Sequence, residues 1–143
     1  QVVLEKNFQL GDFILRNRIG FQNLDTSIFY LPAFMGNHSW YFEKNLFKSA
    51  LQLRTGIDVF YTSASKLYQY DIITGMFATG GNETSEFYPW LDVFASFDIR
   101  TFRMFLKLEN ATQGLLGDGY YEAENYPMQS RSFKLGVNWM LYY

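Results

Sequence analysis

Apolar and polar residues alternate along the C-terminal segment of the chain. The odd positions of residues 133–143 are all apolar or aromatic, while the even positions begin with Lys134, Gly136 and Asn138. The apolar positions are Phe133, Leu135, Val137, Trp139, Leu141 and Tyr143. A period of two places successive side chains on opposite faces, so residues 133–143 are predicted to form a strand with one apolar face. This length suits a transmembrane β-strand, which needs about 9–11 residues.

The same alternation recurs along the chain and predicts eight strands. Residues 91–99 and 102–109 have a clear pattern and are separated only by Arg100 and Thr101. If these two residues form a hairpin turn, the strand ends on either side pair on the same apolar face. Pro32 lacks a ladder donor and is expected to end the third strand. The eight predicted strands are residues 2–10, 13–22, 26–32, 46–61, 66–79, 91–99, 102–109 and 133–143.

The connections between the predicted strands differ in length on the two sides. With the C-terminus on the periplasmic side, the turns on that side are short, and the connections on the outer side are longer. The short turns are 23–25, 62–65 and 100–101, and the longer connections are 33–45, 80–89 and 110–130. This asymmetry is typical of bacterial outer-membrane barrels. The tight Gly11-Asp12 turn is an exception, because it falls on the side predicted to carry long loops.

The composition agrees with strands that cross a membrane. Aromatic residues make up 20% of the chain, yet the mean hydropathy is only -0.14, and no apolar run is long enough for a membrane helix. Alternating strands explain this, because only half of each strand faces lipid. The net charge of -2 gives no basic excess that would indicate a nucleic-acid partner. Residues 1–143, which open without a signal peptide, are predicted to be one barrel domain or the C-terminal segment of one.

The sequence offers little for catalysis or for holding a metal or cofactor. It contains no Cys, and its only histidine, His38, lies in a predicted outer loop without the further nitrogen or sulfur ligands that a metal needs. Asp92 and Asp98 are about 20 Å apart along a strand, too far to act as a paired acid and base. A pair across strands, such as Asp92 with Glu109, remains geometrically open. The chain is therefore predicted to be non-enzymatic, with no metal and no cofactor.

Aromatic residues cluster near the predicted outer ends of the strands. A girdle at the membrane interface is the simplest explanation. The more specific alternative is a site in the loops where sugars stack on the aromatic rings. These residues are Trp40, Tyr41, Phe42, Tyr88, Trp90, Tyr120, Tyr121 and Tyr126.

The last strand resembles the C-terminal signal strand of bacterial outer-membrane barrels. In that signal a polar residue, a glycine and two large apolar residues recur, here as Lys134-x-Gly136-x-x-Trp139-x-Leu141, and the sequence ends on the aromatic Tyr143. The resemblance implies recognition by the barrel assembly machinery. Gly136 and Trp139 are therefore expected to matter more for insertion than for stability.

Longer motifs extend the resemblance over most of residues 25–143. They are Leu53-x-Thr55-Gly56-Ile57-Asp58-Val59-Phe60-Tyr61, Tyr88-Pro89-x-Leu91-Asp92-Val93-Phe94, Arg103-x-Phe105-x-Lys107-x-Glu109-Asn110 and Tyr126-Pro127-Met128-x-x-Arg131-x-Phe133-x-Leu135-Gly136-x-x-Trp139. Together they resemble the C-terminal part of the outer-membrane porin family of the Bacteroides–Flavobacterium group. Members of that family are longer, so the resemblance implies an all-β antiparallel transmembrane barrel, of which this chain supplies about eight strands. The implied location is the bacterial outer membrane, with its lipid bilayer and other outer-membrane subunits as partners.

Charged residues on the polar faces of the predicted strands are expected to line the lumen of the barrel. They are Arg16, Arg18, Arg54, Asp58, Asp92, Asp98, Arg103, Lys107, Glu109 and Lys134. Eight strands closed on themselves leave room only for side chains, so these charges would then form a buried ion-pair network. In a wider barrel the same residues would line water and bias the passage of ions.

Three functions are compatible with these patterns. The first is a passive diffusion channel, with this chain as part of its wall. The second is a non-conducting barrel that serves as an anchor, or as a component or captured substrate of an outer-membrane assembly or secretion machine. The third is a soluble lipocalin-like barrel, whose apolar faces would point inward around a ligand.

Overall fold

The computed structural model describes residues 1–23, 30–117 and 119–141. Over these residues the chain is all-β with antiparallel sheets, as the alternation predicts. Seven of the described strands form one sheet in chain order. They are β1 (Val2–Leu10), β2 (Phe13–Phe21), β3 (Phe34–Leu46), β4 (Leu51–Thr62), β7 (Trp90–Ile99), β8 (Phe102–Glu109) and β11 (Ser132–Trp139). Two small hairpins, β5 (Gln69–Asp71) with β6 (Met76–Ala78) and β9 (Tyr121–Ala123) with β10 (Tyr126–Pro127), lie in the connections.

The connections at the two ends of the strands differ greatly in length. Residues 11–12, 47–50 and 100–101 form the short turns of one edge, here called the short-turn edge. Residues 22–33, 63–89 and 110–131 form the connections of the opposite, long-loop edge. β11 ends at the short-turn edge, because Trp139 pairs with Phe102. The Gly11-Asp12 turn therefore lies on the same side as the other short turns and is no longer an exception.

The prediction of an outer connection at 33–45 is wrong, because β3 occupies these residues. Its pattern is blurred by polar His38 and small Gly36 on its mostly apolar side, and by Tyr41 on its polar side. The predicted strand 46–61 begins too early, because Phe47, Lys48 and Ser49 all have positive φ in the β3–β4 turn. The predicted short turn at 62–65 is also wrong, since Thr62 ends β4 and residues 63–65 begin the long connection 63–89.

The predicted eight-strand count also differs from the seven strands of the described main sheet. Residues 66–79 form the β5–β6 hairpin, which is a separate two-stranded sheet. Most of the predicted strand 26–32 and part of the 23–25 turn lie outside the described residues, and residues 30–32 are not in a strand. The last strand ends at Trp139 rather than at residue 143, although the Met140 N–H still donates to the Thr101 carbonyl at 2.9 Å.

The seven-stranded sheet has one apolar face and one polar face. In the middle of the sheet Ala95, Leu106 and Leu135 are in register on the apolar face. Residues one position along each of these strands point to the opposite, polar face. Leu135 is 61% exposed, and many other large apolar side chains are exposed as well. The described residues therefore leave most of the apolar face open, and near the long-loop edge the Phe87 ring lies 5.8 Å from the ring of Tyr61 on this face.

Most of the buried apolar residues lie in the long connections and not in the seven-stranded sheet. Leu67, Tyr88, Ala123 and Met128 are buried there, whereas Tyr41 is the buried apolar residue of the described strands of the seven-stranded sheet. The connections also touch one another, since the Glu124 N–H donates to the Tyr68 carbonyl at 2.9 Å. No helix among the described residues is long and apolar enough to cross a membrane.

Candidate functional site: the polar face

All ten residues predicted to line the lumen lie on the polar face. The register places Arg16, Ser39, Asp58 and Asp92 in one row across four strands. The other lumen candidates, Arg18, Arg54, Asp98, Arg103, Lys107, Glu109 and Lys134, occupy the same face in neighbouring rows. Their role in a lumen stays a prediction, but the alternation correctly assigned the side of the sheet.

The charges on the polar face are balanced in sign. Among the described strand residues of this face, six are basic and six are acidic. They are Arg16, Arg18, Arg54, Arg103, Lys107 and Lys134, with Glu5, Glu43, Asp58, Asp92, Asp98 and Glu109. On the apolar face the charged strand residues within the described ranges are Lys6 and Lys44, and Lys44 pairs with Asp12 at 2.8 Å beside the short-turn edge.

A recess of about 640 Å³ lies on the polar face toward the long-loop edge. Its cationic side is formed by Arg16 and Arg18 of β2, and the opposite side carries Asp58 and Asp92. Glu5, Asn7, Asn37, Ser39, Phe60, Trp90 and Lys107 complete most of the lining. Arg16 and Asp58 therefore lie on opposite sides of the recess, separated by the neutral Ser39 of β3.

On the side of the recess that carries Asp92, four charged side chains form a continuous ion-pair ladder across β7, β8 and β11. They are Asp92, Lys107, Glu109 and Lys134. Lys107 Nζ lies 2.8 Å from Asp92 Oδ2 and 3.5 Å from Glu109 Oε1, and Lys134 Nζ lies 2.7 Å from Glu109 Oε2. Lys107 and Lys134 are direct cross-strand neighbours, an arrangement that is unfavourable for two like charges. Glu109 lies between the two ammonium groups and offsets this repulsion.

Asp92 also joins the long-loop end of β7 to the first residue of the 110–131 connection. Its Oδ1 accepts hydrogen bonds from the Asn110 backbone N–H at 2.9 Å and from Trp90 Nε1 at 2.5 Å. Asn110 is fully buried, and its side-chain oxygen accepts a hydrogen bond from the Tyr88 hydroxyl at 2.7 Å. Asp92 and Glu109 are thus both occupied by ion pairs and local hydrogen bonds, which favours a structural role over a catalytic pair.

Arg54 and the Asp98–Arg103 pair lie closer to the short-turn edge. The Arg54 guanidinium lies 4.1 Å from the centre of the Tyr41 ring, within cation–π distance. Arg103 Nε donates to Asp98 Oδ1 at 2.7 Å. These residues line a second recess of about 320 Å³ with Glu43, Gln52 and Ser96.

His38 and the aromatic residues near it are not in an outer loop, as predicted, but in β3. His38 projects from the apolar face, where its two ring nitrogens lie 2.8 Å from Asn17 Oδ1 and 3.0 Å from the Tyr61 hydroxyl. Trp40 Nε1 donates to the same Asn17 oxygen at 3.0 Å. Tyr41 lies on the polar face, opposite to Trp40 and Phe42, and the girdle stays a prediction. Within the described ranges, no group of three or more His, Asp or Glu side chains could hold a metal ion.

The residues of the predicted assembly signal are divided between the two faces of β11. Lys134 and Gly136 lie on the polar face, and Gly136 is covered by the Phe105 ring, which a Cβ at that position would meet. Trp139 is 65% exposed on the apolar face, with its ring edge-on to Phe102 at 6.2 Å. Leu141 follows the strand and is exposed. Tyr143 lies outside the described residues.

Sequence reasoning missed part of the recess. Asn37 and Ser39 were assigned to a loop, so the neutral residues between the two charged sides were not recognised. The available signal was the alternation of Phe34, Trp40 and Phe42 with polar residues, which is the β3 pattern itself.

Comparison with known protein families gives a match over the whole chain. A family model described as "Putative porin" matches residues 1–143, the whole chain. The family resemblance read from the sequence is thereby confirmed. No curated protein and no solved structure was found to match the chain.

Proposed function

The chain belongs to the putative porin family, and from this premise we propose that it forms part of the wall of a passive diffusion channel in the bacterial outer membrane. Family membership supports an outer-membrane porin-like β protein in general. The specific channel function rests on the observation that charge is segregated between the two faces of the sheet.

In the proposed channel, the apolar face contacts lipid and the polar face contacts water. Exposed apolar side chains such as Phe133, Leu135 and Val137 of β11 would be unfavourable in water but suit a hydrocarbon environment. The balanced ionic face would be very costly in lipid and suits a hydrated lumen. Among the described strand residues of the apolar face, Lys6 is the charged residue that lies away from the short-turn edge. Its ammonium group lies 5.5 Å from the centre of the Phe8 ring.

The connection lengths support a definite orientation. Bacterial barrels have short periplasmic turns and longer extracellular loops. The short-turn edge of this sheet is therefore proposed to face the periplasm, and the connections 63–89 and 110–131 to face outward. The packing among these two connections would then form part of the outer mouth.

Further strands are proposed to complete the barrel. β1 and β11 are the outermost strands of the described sheet, and unpaired backbone groups at such edges cannot be satisfied by lipid. Both strands run toward the short-turn edge, so direct pairing would be parallel. An odd number of additional strands, from the same polypeptide or from a partner, would restore antiparallel pairing and the even total of bacterial barrels.

Reconstitution of the purified protein into a planar lipid bilayer tests the channel proposal. We expect discrete conductance steps in salt solution, with heat-denatured protein in the same detergent as the control. Steps no larger than those of the control would overturn the proposal and favour the non-conducting anchor or assembly component. Stable solubility without detergent would instead favour the lipocalin-like alternative, for which the position of the 640 Å³ recess on the polar face is unfavourable.

A further inference from the structure

Building on the proposed channel function, we propose that the 640 Å³ recess is a binding subsite for zwitterionic solutes whose carboxylate and ammonium groups are several ångströms apart, the chemistry of short peptides. The carboxylate binds at Arg16 and the ammonium group at Asp58.

The cationic side of the recess has free binding capacity. Arg16 and Arg18 are exposed, and no carboxylate of the described residues lies within 4.0 Å of either guanidinium. Glu5 lies directly opposite Arg18 on β1 and offsets part of its charge. Arg16 instead has neutral Asn7 and Ser39 as its cross-strand neighbours. A guanidinium group binds a carboxylate through two parallel hydrogen bonds, so Arg16 suits the carboxylate end of a solute.

The acidic side of the recess has one carboxylate without an ion-pair partner among the described residues. Ser39 Oγ donates to Asp58 Oδ1 at 2.5 Å, and no described Lys or Arg lies within 4.0 Å of Asp58. Asp92, which also lines the recess, is occupied by Lys107, Asn110 and Trp90. The acceptor available for a solute ammonium group is therefore Asp58 and not Asp92.

The spacing of the strands that carry these two groups sets the length of the solute. Arg16 and Asp58 lie in one row on β2 and β4, with Ser39 of β3 between them. Two inter-strand steps separate the backbones by about 10 Å. An extended peptide spans at most about 3.5 Å per residue, so a tripeptide, at about 10.5 Å, is long enough to bridge this distance. Phe60 and Trp90 supply apolar lining for its side chains.

Binding can be measured without any reliance on conductance. Equilibrium dialysis of radiolabelled trialanine against the detergent-solubilised protein gives the dissociation constant. We expect trialanine to bind, trialanine amide and acetyl-trialanine to bind more weakly, and the doubly capped acetyl-trialanine amide not to bind. Equal binding of all four peptides would overturn the proposal, as would no binding of any.

Variants assign the two ends of the peptide. Arg16→Gln should raise the dissociation constant of acetyl-trialanine roughly tenfold and leave that of trialanine amide unchanged, because only the carboxylate contact is lost. Asp58→Asn should have the reverse effect. Arg103→Gln and Asp98→Asn make the same charge changes on the polar face outside this recess and should change neither value. If the control variants weaken binding as much as the recess variants, a general charge effect explains the data and the subsite is refuted.

Heat-modifiable gel mobility verifies that each variant is folded. If Arg16→Gln does not fold, Arg16→Lys keeps the charge but removes the two-pronged guanidinium, and should still weaken acetyl-trialanine binding. Conductance without peptide binding would leave the channel intact and refute the subsite, whereas binding without conductance would refute the channel alone.

Discussion

Asp92 and Lys107 form an ion pair that joins β7 to β8, with 2.8 Å between Asp92 Oδ2 and Lys107 Nζ. It lies where the seven-stranded sheet meets the 110–131 connection. The side chain of Asp92 is 12% exposed, and that of Lys107 is 31% exposed. The pair therefore belongs to the less hydrated part of the polar face. The same carboxylate binds the backbone N–H of buried Asn110, so it links the sheet to the packed connections.

Asp92→Asn should destabilise the folded protein. The change removes the charge that balances Lys107 and weakens the hydrogen bond from Asn110, with an expected loss of about 1–3 kcal/mol. The midpoint of heat-induced unfolding, followed by gel mobility, measures this loss. Asp98→Asn is the matched control, because its partner Arg103 is 64% exposed and such pairs contribute about 0–1 kcal/mol. Equal shifts in the two variants would contradict the special role of Asp92.

Two neighbouring residues of β2 test which face meets lipid. Leu15 lies on the apolar face and Ile14 on the polar face, and both are half-buried. Leu15→Arg should lower stability by about 1–3 kcal/mol, since a charge facing lipid costs up to about 4 kcal/mol at mid-membrane and less near the interface. Ile14→Arg should be tolerated better, because its side chain would reach water. Unfolding titrations in lipid vesicles compare the two variants, and a larger loss in Ile14→Arg would reverse the assigned faces.

Trp139→Ser should impair membrane insertion more than it lowers the stability of the inserted protein. The Trp139 side chain is 65% exposed, so its removal takes away little packing within the chain. The fraction of heat-modifiable protein in the outer-membrane fraction measures insertion. Normal insertion of this variant would contradict the assembly-signal interpretation. Gly136→Ala is a less specific test, because the added methyl group meets the Phe105 ring and disturbs packing directly.

Asp71 should titrate below the usual range of an aspartate. Its carboxylate accepts hydrogen bonds from the Ile73 backbone N–H and the Thr74 hydroxyl, and these bonds lower the pKa of Asp71. A lowered folded-state pKa means that the stabilisation of the 71–75 turn is present above about pH 3.9. It is lost as the pH falls through the lowered value. A carboxyl NMR titration, assigned with Asp71→Asn, measures this pKa, and a value at or above the usual one would contradict the turn geometry.

Local sequence alternation determined the strands whose two faces differ cleanly. β1, β2, β7 and β8 were predicted almost to their ends, because successive side chains must alternate between environments of opposite polarity. For the same reason all ten charged residues assigned to one side do lie on one face. The family resemblance was likewise contained in the sequence motifs and is confirmed over residues 1–143.

Tertiary structure decided what alternation could not express. β3 was missed because His38 satisfies its ring nitrogens with Asn17 and Tyr61 on neighbouring strands, so a polar residue is accommodated on the apolar face. Tyr41 is accommodated on the polar face because Arg54 lies over its ring. Which charges are paired and which are free also depends on contacts across strands. Asp58 and Asp92 look alike in the sequence, yet among the described residues only Asp92 has an ammonium group within 4.0 Å. The register of β7 and β8 pairs Lys107 with Phe94, and from there Lys107 reaches Asp92 diagonally.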